Sequence, residues 1–147
     1  MTNTDPMPSI FTKIINGEIP CHKVAETDEF LAFLDVRPMT EGHTLCVPKR
    51  EVDYYFDLTD EELTKLTLFS KAVALAIKKV IDCKRVAVGV LGLEVPHAHV
   101  HLVPVVSEDD FRFGKSIEVS ADCTAVSYTS LTLPPKRIVY VSHRPVP

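Results

Sequence analysis

Three histidines alternate with small apolar residues in the stretch Pro96-His97-Ala98-His99-Val100-His101-Leu102-Val103-Pro104-Val105. In a β-strand every second side chain points to the same face of the sheet. The spacing therefore predicts a strand that carries a row of imidazoles about 6.6–7 Å apart on one face. Ala98, Val100 and Leu102 are expected to point into the core behind that row. Such a row suits either divalent-metal binding or the handling of a phosphoryl group.

The composition is that of one globular domain. The chain has 147 residues, of which 46% are hydrophobic and 24% are charged, enough for an ordinary core. A net charge of −4 argues against non-specific binding of nucleic acid. Residues 1–9 lack an apolar segment, and the apolar run at residues 86–95 is too short to span a bilayer, so we expect no secretion signal and no membrane partner. Four scattered cysteines without a Cys-x-x-Cys pair favour a cytoplasmic location.

Local signals predict two helices and five strands. Ser9 can cap a short helix that ends at Asn16-Gly17. The run Thr59-Asp60-Glu61-Glu62 is a capping box that begins a long helix, expected to reach about residue 82. Strands are predicted at residues 23–25, 29–34, 44–47, 85–91 and 96–105. The fold class is therefore α+β, a five-stranded antiparallel sheet with one short N-terminal helix and one long helix.

The long helix carries one apolar stripe at helical spacing. We interpret this stripe as core packing and assign it no ligand-binding role. Its members are Leu63, Leu66, Phe69, Val73, Ile77 and Val80.

We divide the chain into one domain over residues 1–120 and a C-terminal tail over residues 121–147. In the tail the composition shifts to Ser, Thr, Val and Pro, and acidic residues end at Asp122. Two interpretations stay open: an extra hairpin around Pro134-Pro135, or a stretch over residues 124–139 that is not native coding sequence. The second arises because this stretch resembles translated adapter or vector sequence. The tail is therefore excluded from the functional argument.

Two chemistries compete for the histidines. Zinc sites often use two histidines one residue apart, so His97 and His99 could bind a metal together with His43 or His101. Phosphoryl transfer needs no metal, because a neutral imidazole is a nucleophile when one ring nitrogen is free and the other is held by an acceptor. Flanking histidines can donate hydrogen bonds to phosphate oxygens, and an imidazolium can protonate the leaving group.

Four segments of the chain resemble the histidine triad (HIT) family, in particular its nucleoside phosphoramidase-like branch and bacterial HIT proteins. Residues 97–103 match the pattern His-x-His-x-His followed by two apolar residues. Residues 9–20 resemble the family's N-terminal helix and turn, residues 30–38 its nucleoside-binding strand, and residues 41–49 its Gly-His-x-Leu-x-x-Pro-Lys segment. The resemblance extends over residues 9–105 in family order. It implies the HIT-like fold, a metal-independent nucleotide hydrolase or transferase without a cofactor, and a homodimer whose two sheets join.

The resemblance also implies roles for four histidines. His99 would attack the α-phosphate of a nucleoside phosphoramidate or dinucleoside polyphosphate and form a nucleotidyl-histidine. His97 and His101 would flank it. His43 would complete the set by orienting the site or bonding a phosphate oxygen.

For the nucleoside, expected to be a purine, the resemblance implies a second set of residues. Asp35 matches the residue that binds the ribose hydroxyls, for which a carboxylate is a suitable acceptor. Ile10, Phe11 and Val36 match the apolar walls around the base. Ordinary packing between helix and sheet is an equally open interpretation for Ile10 and Phe11.

The chain departs from the family before the triad, where Gly-Gln-Ser or Gly-Gln-Thr commonly contacts phosphate. Here residues 92–94 are Gly-Leu-Glu, after a shortened loop at residues 88–91. Leu93 cannot donate a hydrogen bond, and Glu94 would repel a phosphate unless it is protonated or turned away. The alternative to an enzyme is therefore a nucleotide-binding or interaction module with weak or no turnover. Because Ser9 and Thr12 stand where some members carry a zinc-binding Cys-x-x-Cys, we expect no structural zinc.

Overall fold

Five antiparallel strands form one sheet in a computed structural model that describes residues 7–118. The strands are β1 (Lys23–Glu26), β2 (Phe30–Leu34), β3 (Thr44–Pro48), β4 (Arg85–Gly89) and β5 (Val100–Val105), and their order in the sheet is β1-β2-β3-β5-β4. Two α-helices, α1 (Ile10–Ile15) and α2 (Asp60–Val80), and two 3₁₀ turns, Tyr55–Asp57 and Glu108–Asp110, complete the described residues. The predicted α+β class is confirmed. The predicted tail over residues 121–147 lies outside the described residues.

Both helices begin at the predicted caps. The hydroxyl of Ser9 accepts the backbone N–H of Thr12 at 3.0 Å. At α2, Thr59 accepts the backbone N–H of Glu62 at 3.1 Å, and the Glu62 carboxylate accepts the N–H of Thr59 at 3.2 Å. These bonds satisfy N–H groups that have no partner within a helix, so both starts are fixed by local sequence.

The two helices cover opposite faces of the sheet. The stripe of α2 packs against one face together with alternate residues of the histidine stretch, namely Ala98, Val100 and Leu102. The other face carries Phe11 of α1 above Phe33 and Leu45. The sheet therefore separates an apolar core under α2 from a face shared by α1 and the histidines.

Among the described residues no helix is both long enough and apolar enough to cross a bilayer.

Strand β5 is shorter at its N-terminal end than the histidine spacing predicts. It begins at Val100, so His97 and His99 precede it and only His101 belongs to it. The register pairs Cys46 with Val100, which would place Pro48 opposite Ala98. Proline has no N–H to continue the ladder. The N–H of Ala98 instead donates to the carbonyl of Val52 at 2.6 Å, outside the sheet.

Strand β4 also ends early, at Gly89 rather than residue 91. Its last pair in the sheet joins Gly89 to His101. A side chain at residue 89 would meet the ring of Phe111, because an added Cβ would lie 2.5 Å from Phe111 Cζ. Glycine at this position therefore allows the segment that follows β5 to close over the end of β4.

Candidate active site

A pocket of about 270 Å³ opens on the sheet face that carries the histidines. Asp35 and His43 reach it because they follow β2 and precede β3, two strands paired through Leu34 and Thr44. The N–H of Asp35 donates to the carbonyl of His43 at 3.0 Å, which holds these two residues side by side. The pocket brings together three of the four predicted catalytic histidines, namely His43, His99 and His101.

His99 presents a free ring nitrogen to this pocket. Its Nδ1 lies 2.6 Å from the backbone carbonyl of His97. A carbonyl oxygen can only accept, so Nδ1 carries the proton and the neutral ring keeps a lone pair on Nε2. Phe11 packs edge-on against the imidazole, with ring centroids 5.0 Å apart. The ring is thus held in one tautomer and one orientation, the state required of a nucleophile.

The proton positions of His43 and His101 follow from a fixed donor at one end of their chain of bonds. The backbone N–H of Met39 donates to Nδ1 of His43 at 2.9 Å, so the proton of His43 sits on Nε2. His43 Nε2 then donates to Nδ1 of His101 at 2.9 Å. The remaining proton of His101 is on its Nε2. The His101 ring lies beside that of His99, with ring centroids 4.8 Å apart. His101 therefore carries a hydrogen-bond donor on a ring adjacent to that of His99.

His97 differs from the other three histidines because both of its ring nitrogens are engaged away from the pocket. Nε2 donates to the carbonyl of Pro48 at 2.8 Å, and Nδ1 is 2.7 Å from the hydroxyl of Ser9. Its ring is fully buried. The sequence predicts that His97 flanks His99. In the structure the His97 ring lies outside the pocket lining, and its backbone carbonyl accepts from Nδ1 of His99.

Burial lowers the pKa of each of the four histidines. For His99 the burial effect is opposed by the bond to the His97 carbonyl and by the charges of Asp35 and Glu94. For His43 it is opposed by the charge of Asp35, and for His97 by the bond to the Pro48 carbonyl and by a nearby carboxylate. Burial next to two other imidazoles lowers the pKa of His101 to about 3. All four rings are therefore neutral at neutral pH.

Asp35, His43 and His101 bring three possible ligand atoms within 4.8 Å of one another, a group that sequence reasoning did not single out for metal binding. Asp35 Oδ2 is 3.6 Å from His43 Nε2, while Oδ1 accepts the N–H of Arg37 at 2.9 Å. Because Nδ1 of His43 already accepts from Met39, a metal on Nε2 would require an imidazolate or the loss of that bond. The pair His97 and His99 is no better suited, since both nitrogens of His97 are occupied. In this hydrogen-bond arrangement neither group offers a complete set of lone pairs to a metal ion.

The residues predicted to surround the base all line the pocket. Ile10 is half-exposed, Phe11 is buried, and Val36 is 84% exposed at the rim. Phe11 also packs against Phe33, with ring centroids 5.4 Å apart. Phe11 thus belongs to both the core and the pocket wall, whereas Val36 has little packing role and is available to a ligand.

Several pocket residues were missed by sequence reasoning, because they come from the segment after β5. Phe113 stands edge-on to His101 at 5.0 Å, and Lys115 contributes a cation. This segment is fastened by the N–H of Ile117, which donates to the carbonyl of Pro38 at 2.8 Å. Arg37 brings a second cation to the wall, and Glu94 brings a carboxylate to the same pocket as His99. No periodicity links residues 113–116 to the histidines, so only the fold reveals them.

Comparison with known proteins agrees with this geometry. Residues 16–107 match the HIT domain. An uncharacterised HIT-like protein of Methanocaldococcus jannaschii is 38% identical over 119 residues, 77% of this chain and 92% of that protein. The adenosine 5'-monophosphoramidase of Schizosaccharomyces pombe is 36% identical over 108 residues, 70% of this chain and 78% of that protein. A crystal structure of a HIT family member from Bacillus subtilis superimposes with a TM-score of 0.66 at 34% identity, covering 78% of this chain and 84% of that one. The chain, with its five-stranded sheet and histidine-lined pocket, therefore belongs to the HIT domain family.

Proposed function

We propose that this protein is a metal-independent nucleotide hydrolase or transferase that acts at the α-phosphate of a nucleoside phosphoramidate or related nucleotide. The single observation that carries the proposal is the 2.6 Å bond from His99 Nδ1 to the His97 carbonyl. It leaves the Nε2 lone pair free in a pocket that also holds a candidate ribose acceptor, Asp35. The relationship to an adenosine 5'-monophosphoramidase supports the reaction class.

In the proposed reaction His99 Nε2 forms a bond to the α-phosphorus, and the phosphorus–nitrogen bond of the substrate breaks. The electron pair of that bond leaves with the amine, which takes up a proton. The carbonyl that accepts from Nδ1–H stabilises the positive charge that develops on the ring. Water then attacks the nucleotidyl-histidine, releases the nucleoside monophosphate and regenerates the neutral ring.

His101 supplies the donor that the transition state needs. Its Nε2–H lies beside His99 and can bond a non-bridging oxygen as charge builds there. His43 holds this ring through the 2.9 Å bond to Nδ1. A bound phosphate also favours protonation of nearby imidazoles, since an opposite charge stabilises the charged form. This effect would let a histidine with a lowered pKa become charged when substrate binds and then protonate the leaving amine.

A fluorogenic adenosine phosphoramidate tests the proposal. The wild type should hydrolyse it in the presence of a chelator, and intact-protein mass spectrometry after rapid quenching should find a nucleotide adduct. His99→Ala should lose at least about 10³-fold in kcat and form no adduct. The matched control is His22→Ala, which alters a histidine that does not line the pocket. Equal rates for wild type and His99→Ala would eliminate His99 as the nucleophile.

A second candidate function is nucleotide binding with little turnover. It is favoured by residues 93 and 94, because Leu93 is 82% exposed and Glu94 places a carboxylate in the pocket of His99. The Leu93 side chain has no hydrogen-bond donor, and a carboxylate such as that of Glu94 only accepts. Calorimetry with adenosine monophosphate separates the two functions. Tight binding without a catalytic burst would favour the binding module.

We further propose that the protein is a homodimer joined along β4. This strand is an edge of the sheet, and its Val88 is 64% exposed. Leu68 and Leu75 on α2 are also exposed, and unpaired strand edges and exposed apolar surface are typical of interfaces. Sedimentation of the wild type and of Val88→Glu tests this, with a dimer expected only for the wild type. The cytoplasmic location stays a prediction from the sequence.

A further inference from the structure

Behind His97 lies a group of polar side chains that the proposed reaction does not use directly. Ser9, the cap of α1, is 5% exposed, and its hydroxyl oxygen is 2.7 Å from His97 Nδ1. Thr12, one turn further along α1, has its hydroxyl 3.5 Å from the same nitrogen. The carboxylate of Glu51 approaches from the loop after β3, with Oε1 4.0 Å from His97 Nδ1.

The direction of each hydrogen bond in this group can be deduced. His97 Nε2 donates to the Pro48 carbonyl at 2.8 Å, so Nδ1 of the neutral ring must accept. The single hydroxyl proton of Ser9 has two possible acceptors, His97 Nδ1 at 2.7 Å and Thr12 Oγ1 at 3.3 Å, and the shorter bond is to the histidine. Ser9 is therefore the donor that satisfies a buried imidazole nitrogen.

Glu51 fixes the position of that donor. Its Oε1 accepts the backbone N–H of Ser9 at 2.6 Å and the hydroxyl of Thr12 at 2.7 Å. Because Thr12 donates its hydroxyl proton to Glu51, the Ser9 hydroxyl is the main donor to His97 Nδ1, at 2.7 Å. Accepting the bonds from Thr12 and Ser9 also lowers the pKa of the Glu51 carboxyl, so it stays ionised at neutral pH.

We propose that Ser9 and Glu51 are positioning residues that act on His99 through His97. This inference rests on the proposed function, since it assigns these residues a part in the same reaction. The hydroxyl of Ser9 keeps the His97 ring neutral and in place, and the backbone carbonyl of His97 orients His99 at 2.6 Å. The chain of contacts runs from Glu51 through Ser9 and His97 to the nucleophile. The cap of α1 therefore contributes to the geometry of the site as well as to the helix.

The charged and titratable groups that face His97 are Glu51 and His99. Without the Ser9 hydroxyl, Nδ1 would be a buried acceptor without a strong donor, beside a carboxylate. Such a nitrogen binds a proton more readily, because the charged ring could then pair with Glu51. Loss of Ser9 should therefore raise the pKa of His97 and pull its ring toward Glu51. The carbonyl that holds His99 would move with it.

The test compares Ser9→Ala and Ser9→Thr with the wild type, using ¹⁵N NMR of the histidine rings and steady-state kinetics. In Ser9→Ala we expect the His97 titration to move up by at least one pH unit. We expect kcat to fall about 10-fold with KM changed less than twofold, because Ser9 does not itself line the pocket. Ser9→Thr keeps a hydroxyl and a helix cap, and should restore both values. The control for loss of a cap is Thr59→Ala at α2, which should leave the ring signals and kcat unchanged.

Unchanged His97 and His99 ring signals in Ser9→Ala would overturn the proposal, whatever the kinetics. The NMR result does not depend on turnover. A wild type that hydrolyses nothing would refute the proposed reaction, whereas the ring signals would still show whether Ser9 positions His97 and His99. If Ser9→Ala does not fold, Glu51→Ala replaces it. That variant keeps the Ser9 hydroxyl but removes the carboxylate that anchors Ser9. We expect it to shift the His97 titration and to reduce kcat less than Ser9→Ala does. Wild-type signals in Glu51→Ala would then contradict the proposal.

Discussion

His43 donates through Nε2 to Nδ1 of His101 across 2.9 Å, and this bond joins the residue before β3 to the middle of the site on β5. The bond has one direction because the N–H of Met39 already occupies Nδ1 of His43. It therefore places the remaining proton of His101, a residue that lines the pocket, on Nε2. Two buried histidines 58 residues apart in sequence thus form one donor group.

The neutrality of these histidines predicts a pH-dependent stability. The pKa of His101 falls from the ordinary 6.5 to about 3 on folding, mainly through burial. Below pH 6.5 the unfolded chain therefore binds a proton at His101 that the folded chain does not bind. As a result, the free energy of unfolding decreases as the pH falls from 6.5 toward 3. Each such histidine gives a slope of at most about 1.4 kcal/mol per pH unit. Urea denaturation at pH 7.5, 6 and 5 should show stability decreasing across this range.

The control for this prediction is His101→Asn, which removes one of the titrating rings. Its stability at pH 7.5 should be lower than that of the wild type, and its slope with pH should be smaller. A slope equal to that of the wild type would show that His101 is not buried in the neutral form.

If Asp35 binds the ribose as proposed, the affinity for a nucleotide should depend on the ribose hydroxyls. Asp35→Asn keeps an oxygen for the Arg37 N–H, but its amide cannot accept two hydroxyl protons. We expect the Kd for adenosine monophosphate to rise about 10- to 100-fold, the loss of one or two hydrogen bonds to a charged acceptor. The dideoxy analogue should bind wild type and Asp35→Asn equally. If Asp35→Asn weakens the analogue as strongly as the natural nucleotide, Asp35 does not contact the ribose.

Glu94 predicts an electrostatic cost for anionic substrates. Its carboxylate shares the pocket with His99 and favours the charged form of that ring. Glu94→Gln removes one negative charge near the phosphate, so kcat/KM for an adenosine phosphoramidate should rise about fivefold at low salt, for an interaction near 1 kcal/mol. The gain should shrink in 0.5 M salt because of screening. Glu108→Gln, which changes a carboxylate outside this pocket, is the control and should leave kcat/KM unchanged.

The close approach of Phe111 to Gly89 predicts that a side chain at residue 89 disturbs the packing that leads to His101. Gly89→Ala would place a methyl group 2.5 Å from the ring of Phe111. Phe111 packs on Phe113, which in turn packs on His101. We expect a loss of about 1–3 kcal/mol in the free energy of unfolding, as for an overpacked contact. In a Phe111→Ala background the same change should cost about 1 kcal/mol less, whereas strictly additive losses would show that the two residues do not meet.

The elements set by neighbouring residues were predictable. The capping box at Thr59 and Glu62 begins α2 as expected, because its bonds close within three residues. The alternation at residues 97–102 also separates the apolar side chains from the histidines as expected. The length of β5 was not predictable from that alternation, because its start depends on the missing N–H of Pro48 in another strand.

The sequence by itself determined which side chains could do chemistry, since their types and spacing place His99 and His101 on one side of an extended segment. Only the tertiary structure decided what each histidine does. The role of an imidazole depends on which of its two nitrogens is bonded, and the partners of His97, at Pro48 and Ser9, come from distant parts of the chain. A hydrogen-bond partner 49 or 88 residues away leaves no periodic trace in the sequence, yet it fixes the proton and with it the chemistry.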